Sequence, residues 1–127
     1  MKRHDVYQCR PGVTVEALGN ADCGELTCCG TPMKLLQPRS AAQEGKEKHV
    51  PVVSADKAGV KVTVGSTPHP MLPEHYIQWI EVINGDYVNR KYLAPGQNPE
   101  AKFYVPMQPG LIVREYCNLH GLWEIRP

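Results

Sequence analysis

Proline and glycine, at 12 and 11 positions, interrupt this chain so often that its apolar residues come only in short runs. That punctuation leaves no convincing helix of three turns and favours short strands joined by tight turns. Val60, Val62 and Val64 alternate with Lys61 and Thr63, the pattern of a strand with one wet face. Residues 76–83 are apolar on both faces and rich in aromatic and β-branched types, as a central strand is. Asn84-Gly85 then forms a hairpin turn, and residues 87–93 return beside the first strand. Turns at Pro95-Gly96 and Pro109-Gly110 enclose a further strand at 102–105, and residues 111–116 form the last one. Val50-Pro51-Val52-Val53 is also strand-like, with a proline suited to a sheet edge. Six or seven such strands over about 80 residues predict an all-β fold, an immunoglobulin-like β-sandwich.

The first 36 residues read as a small β unit of their own. Val6-Tyr7-Gln8 leads into Cys9, residues 13–17 alternate, Gly19-Asn20 turns, and Leu26-Thr27 returns to Cys28-Cys29-Gly30. A piece this short cannot bury a core unaided, so a metal or docking on the rest of the chain must hold it. The expected organisation is a domain at 1–36 and a larger one at 37–127, whose opening residues 37–47 form a polar linker. A hydrophobic content of 42% excludes a disordered chain. The formal charge of +1, without a basic stripe, argues against a nucleic-acid partner. No apolar run approaches the roughly 20 residues of a membrane span. Met1-Lys2-Arg3-His4-Asp5 has the charge of a signal peptide but no apolar core behind it, so a cytoplasmic location without membrane partners is expected. There are five cysteines, an odd count, and all but Cys117 are clustered near the start. In a reducing compartment such a cluster points to metal or redox chemistry rather than a disulfide framework.

Chemistry concentrates where the last strand ends. Cys117 and His120 place a thiol and an imidazole three positions apart, a common way of presenting two metal ligands from one turn. His69 and His75 lie in Pro68-His69-Pro70-Met71-Leu72-Pro73-Glu74-His75, a loop stiffened by proline before any ligand arrives. His49 opens a strand. His4, in the polar tail, reads as a surface residue. Structural zinc takes four ligands, one fewer than this set. A blue-copper site needs two histidines, a cysteine and usually an axial methionine, and no methionine follows His120. Iron held by four imidazoles in a plane and one thiolate below uses every residue and leaves a sixth position for chemistry. An electron-transfer metalloprotein, of blue-copper or rubredoxin-like type, is the competing function. An immunoglobulin-like binding module with incidental histidines is the third.

Four segments carry a resemblance: Glu47-Lys48-His49-Val50-Pro51-Val52, Gly65-Ser66-Thr67-Pro68-His69-Pro70-Met71, His75-Tyr76-Ile77-Gln78-Trp79-Ile80-Glu81 and Glu115-Tyr116-Cys117-Asn118-Leu119-His120-Gly121-Leu122-Trp123. Together they resemble the superoxide reductases of the desulfoferrodoxin and neelaredoxin family, over essentially the whole chain. The resemblance implies one mononuclear iron with His49, His69, His75 and His120 as equatorial ligands and Cys117 as the axial thiolate. It also implies reduction of superoxide to hydrogen peroxide, a rubredoxin-like electron donor, and a homodimer or homotetramer. A thiolate in that position pushes electron density onto the metal. Glu47 would bind the ferric iron after peroxide leaves, and Lys48 would attract the anionic substrate through its local field. Two-iron relatives add a desulforedoxin-like N-terminal domain with a second, FeS₄-type iron held by a Cys-x-x-Cys pair and adjacent cysteines. Here Cys9, Cys28 and Cys29 keep three of the four ligands, and Cys9-Arg10-Pro11-Gly12 lacks the pair's second sulfur. Cys23 lies near the far turn, roughly 16 Å away along the strand. The expectation is that this centre is lost, leaving a disulfide or inert thiols.

Overall fold

The computed structural model describes all residues, Met1–Pro127, and divides the chain into two compact units, Met1–Gln37 and Pro38–Pro127. In the first, β1 (Val6–Arg10) lies between β2 (Val13–Glu16) and β5 (Lys34–Leu35) in an antiparallel sheet. β3 (Thr27–Cys28) and β4 (Thr31–Pro32) form a separate short hairpin. Its two turn residues, Cys29 and Gly30, both have positive φ, at 50° and 80°, the backbone that matches the twist of a two-residue hairpin. Val6 and Ala17 are the buried apolar residues of this unit, too few for a core. A disulfide between Cys9 and Cys28, 19 positions apart in sequence, supplies the missing constraint, with Cα atoms 5.7 Å apart. Closing a loop of that length removes about 3 kcal/mol of unfolded-chain entropy.

The second unit is a sandwich of two antiparallel sheets. β6 (Pro51–Asp56), β7 (Gly59–Val64) and β10 (Glu100–Phe103) form one, in the order β10-β7-β6. β8 (Ile77–Asn84), β9 (Tyr87–Tyr92), β11 (Ile112–Cys117) and β12 (Gly121–Ile125) form the other, in the order β12-β11-β8-β9. The predicted alternation in β7 holds residue by residue: Val60, Val62 and Val64 are fully buried. They meet Ala101 and Phe103 of β10 and, from the facing sheet, Ile80 and Val82 of β8 and Val113 of β11 in one apolar cluster. β8 is central, flanked by β11 and, across a turn at Gly85-Asp86 one residue later than the expected Asn84-Gly85, by β9. Pro51 stands on β6, an edge strand, where its missing N–H costs no ladder bond. No helix is long and apolar enough to cross a membrane.

Three readings of the sequence are corrected. The last strand is not 111–116, because β12 follows His120 and pairs with β11 from Val113 to Cys117. The strand expected at 102–105 begins two residues earlier, since pairing of Glu100 with Thr63 decides its register. Residues 37–47 are not a free linker. The Arg39 amide donates to the Leu122 carbonyl and its own carbonyl accepts from Glu124, so Arg39 pairs in parallel with Trp123, outside the named strands. A single 3-10 turn, Ala41–Gln43, follows. Main-chain pairing of this kind leaves no mark on side-chain periodicity.

Candidate metal centre

All five predicted ligands arise at one end of the sandwich. His49 stands just before β6 and His69 just after β7, from one sheet. His75 precedes β8, Cys117 ends β11 and His120 lies in the turn into β12, from the other. Gly65 allows two of these segments to cross closely. It has φ +85°, and a Cβ there would fall 2.5 Å from the Lys48 carbonyl oxygen, so only glycine suits this approach.

The side chains converge. One ligand atom from each of His49, His69, His75, Cys117 and His120 lies within 4.8 Å of every other. Ring centroids follow each other around a closed square: His49 to His69 4.6 Å, His69 to His75 4.8 Å, His75 to His120 5.0 Å, His120 to His49 4.8 Å. Neighbouring rings meet edge-on, at 61–84°. His69 has a fixed tautomer: its Nδ1–H donates to the Pro70 carbonyl at 2.7 Å, leaving the Nε2 lone pair 3.0 Å from His49 Nε2. That bond to a backbone carbonyl is the usual device for orienting a metal-bound imidazole. His120 turns Nδ1 toward Cys117 Sγ, 3.7 Å away. Buried Nε2 of His75 has no hydrogen-bond partner. The donor set therefore fits a metal ion, with four borderline imidazole nitrogens and one soft sulfur.

Burial sets the protonation of the set. His49 is held neutral, its pKa lowered to about 3 by burial and then by the neighbouring imidazoles His69, His120 and His75. His69 is lowered too, chiefly by burial, against the opposing effect of its Pro70 bond. Burial pushes the Cys117 thiol up to about 11, although the backbone groups of His120 and Leu119 draw it back. The imidazole lone pairs of His49 and His69 are therefore available without proton release, whereas Cys117 must lose a proton to bind. Glu115, two residues away, is fully buried with neither carboxylate oxygen hydrogen-bonded, and burial raises its pKa well above the usual range.

Glu47 and Lys48 stand beside the ligands. A Glu47 carboxylate oxygen lies 3.3 Å from His75 Nε2 and 3.9 Å from His69 Nε2. The Lys48 ammonium donates to the Gly45 carbonyl at 3.2 Å and lies 3.9 Å from Glu44. An open cavity of about 250 Å³ lies beside His49 and His120, with Arg39 and Lys46 in its lining, cations suited to a small anion.

Three residues hold the ligands without having been singled out in the sequence. Glu44 accepts from the His49 and Val50 amides through one oxygen, at 3.1 and 2.7 Å. Trp123 stacks on His49 with centroids 4.6 Å apart and planes 9° from parallel, and donates to the His120 carbonyl. Asn118 bonds the Glu74 carbonyl and the Tyr76 amide. For Trp123 and Asn118 the signal was their place inside the ligand motif; for Glu44 there was none. The N-terminal candidates do not assemble as ligands. Cys9 and Cys28 are joined to each other, and Cys29 and Cys23 are free and exposed.

Comparison with known proteins points the same way. A family model described as desulfoferrodoxin matches residues 41–126. A desulfoferrodoxin homolog of Methanothermobacter thermautotrophicus is 52% identical over 121 residues, covering 94% of this chain and 96% of that protein. The crystal structure of the superoxide reductase from Treponema pallidum is similar with a TM-score of 0.74 and 26% identity, over 96% of this chain and 97% of that one. A superoxide reductase (1Fe-SOR) from Giardia intestinalis matches with a TM-score of 0.57 and 33% identity, over 65% and 98%.

Proposed function

We infer the activity from the premise that this chain belongs to the desulfoferrodoxin family: it is a superoxide reductase, converting superoxide to hydrogen peroxide at a mononuclear iron. The observation that carries this reading is the convergence of four imidazoles and a single thiol within 4.8 Å. A blue-copper carrier would gather two imidazoles, and incidental histidines would not close a square. Bound ferrous iron supplies the one electron the reaction needs. His49, His69, His75 and His120 would hold it, and Cys117, as thiolate, would raise its electron density. Protein loaded with ferrous iron should form one hydrogen peroxide per superoxide consumed and release no dioxygen. Release of dioxygen would mean dismutation and overturn the reading.

Lys48 has the role of drawing superoxide in. Its position next to His49, with Arg39 and Lys46 lining the adjacent cavity, supports a local positive field. Lys48→Ile should slow superoxide capture several-fold and flatten its salt dependence, measured by pulse radiolysis at increasing ionic strength. Unchanged kinetics would remove the role. Glu47, in reach of two ligand nitrogens, would offer its carboxylate to ferric iron in the same site. Glu47→Ala should alter the ferric absorption spectrum while leaving peroxide formation largely intact; an identical spectrum would show that the carboxylate is no ligand. A rubredoxin-like protein as donor is part of the same proposal, checked by whether a reduced rubredoxin restores the ferrous state.

A further inference from the structure

His75 is delivered by an unusual piece of backbone. It belongs to no strand: an isolated bridge pairs it with Leu72, amide to carbonyl in both directions at 2.9 and 3.0 Å. Immediately beyond it the β11–β8 ladder slips, because Tyr116 faces Trp79 but Cys117 faces Ile77. Past that slip Asn118 takes over the pairing. Its amide donates to the Tyr76 carbonyl at 3.2 Å. Its side-chain Oδ1 accepts from the Tyr76 amide at 2.9 Å, and its Nδ2 donates to the Glu74 carbonyl at 3.0 Å. One side chain thus grips the main chain on both sides of His75. A primary amide suits this, since its carbonyl oxygen accepts while its NH₂ group, on a separate atom, donates.

We propose that Asn118 is a positioning residue for the metal centre, fixing the His75 imidazole relative to Cys117 and His120, the two ligands on either side of Asn118 in sequence. The inference rests on reading His75 as a ligand. Without the bracket, the proline-rich loop that carries His75 keeps its main-chain ties, the Leu72–His75 bridge and the Gly96 amide on the Met71 carbonyl, but loses the side-chain grip on Glu74 and Tyr76. The ring of imidazoles must then be closed at the expense of loop ordering each time metal binds.

The test compares wild type, Asn118→Ala, Asn118→Asp and, as a control, Val62→Ala in the sandwich core. Ferrous iron affinity is measured by competition with a chelator, the ferric site by electron paramagnetic resonance, and Tyr76 amide exchange in iron-free protein by NMR. Wild type should bind one iron per chain; failure to do so would overturn the ligand reading and this inference with it. Asn118→Ala should bind iron about 10–100-fold more weakly, show a changed ferric signal and exchange the Tyr76 amide faster. Asn118→Asp keeps the acceptor for Tyr76 but not the donor for Glu74, and should fall between. Val62→Ala should melt earlier with unchanged iron affinity, which separates positioning from general loss of stability. Wild-type affinity and spectrum in Asn118→Ala, or equal weakening in Val62→Ala, would overturn the inference. Should Asn118→Ala not fold, the aspartate variant and the wild-type exchange rate decide: a Tyr76 amide exchanging as fast as in a free chain would refute the bracket.

Discussion

Replacing Cys117 with serine is expected to reduce superoxide reduction by at least about 100-fold and to change how iron affinity depends on pH. Cys117 is wholly buried and is the one sulfur in the ligand set. Its thiol, with a pKa raised to about 11 by burial, stays protonated at neutral pH until metal displaces the proton. The sign follows: below pH 11 binding releases a proton at this residue, so affinity rises with pH. One released proton means a slope of about tenfold per pH unit between roughly pH 7.5 and 9.5. Serine does not ionise in that range, so the contribution of Cys117 to the slope should disappear. Its hydroxyl is a hard donor and cannot replace the electron release of sulfur. The fold should persist, because the backbone groups of Leu119 and His120 that face the thiol can face a hydroxyl equally well. Chelator competition across that pH range, with superoxide consumption alongside, checks both effects. An active variant, or one with an undiminished slope, would refute the assignment of Cys117.

The largest effect on stability should come from Glu81→Ala, at a residue that is not a ligand. Glu81 is completely buried on β8, in register with Arg114 of β11 on one side and Arg90 of β9 on the other. Arg114 donates through Nε to one carboxylate oxygen at 2.7 Å, with Nη2 2.6 Å away. Arg90 donates to the other oxygen through Nε and Nη2, at 3.0 and 2.6 Å, while its guanidinium lies 5.0 Å from the Trp79 ring centroid. Removing the shared carboxylate leaves two guanidiniums facing each other in a low-dielectric site. The loss should be about 3–5 kcal/mol, a fall in melting temperature on the order of 20 °C. Glu81→Gln keeps the shape and should lose less. A loss under about 1 kcal/mol for the alanine variant would show that the three charges contribute little beyond their volume.

How much of this was legible in the sequence differs between backbone and site. Val60, Val62 and Val64 announced β7 because burial on one face writes a period of two directly into the side chains. Gly85 announced the hairpin because the turn needs a residue with positive φ, here 59°. The five ligands stood out because metal chemistry restricts residue type and because they sit in family motifs. What stayed hidden depends on partners distant in the chain. Glu81 lay in a stretch read simply as apolar on both faces, and nothing local reveals that Arg90 and Arg114 will flank it. Arg39 joins β12 through main-chain groups that every residue possesses. Glu44 acts on the His49 and Val50 amides, for which no residue pattern exists, and the place of Asn118 inside the ligand motif does not reveal which main-chain groups it will grip.

The ligands come from both layers: His49 and His69 from the sheet of β6, β7 and β10, and His75, Cys117 and His120 from the sheet of β8, β9, β11 and β12. An ion held by all five is therefore a clasp between the layers, present only in the folded chain. Mass action then makes iron supply a determinant of protein lifetime. At free iron 100 times the dissociation constant the folded state gains about 2.7 kcal/mol over the iron-free chain. Near that constant the gain almost vanishes. A cell short of iron would hold a looser sandwich, opened more often and cleared sooner by proteases.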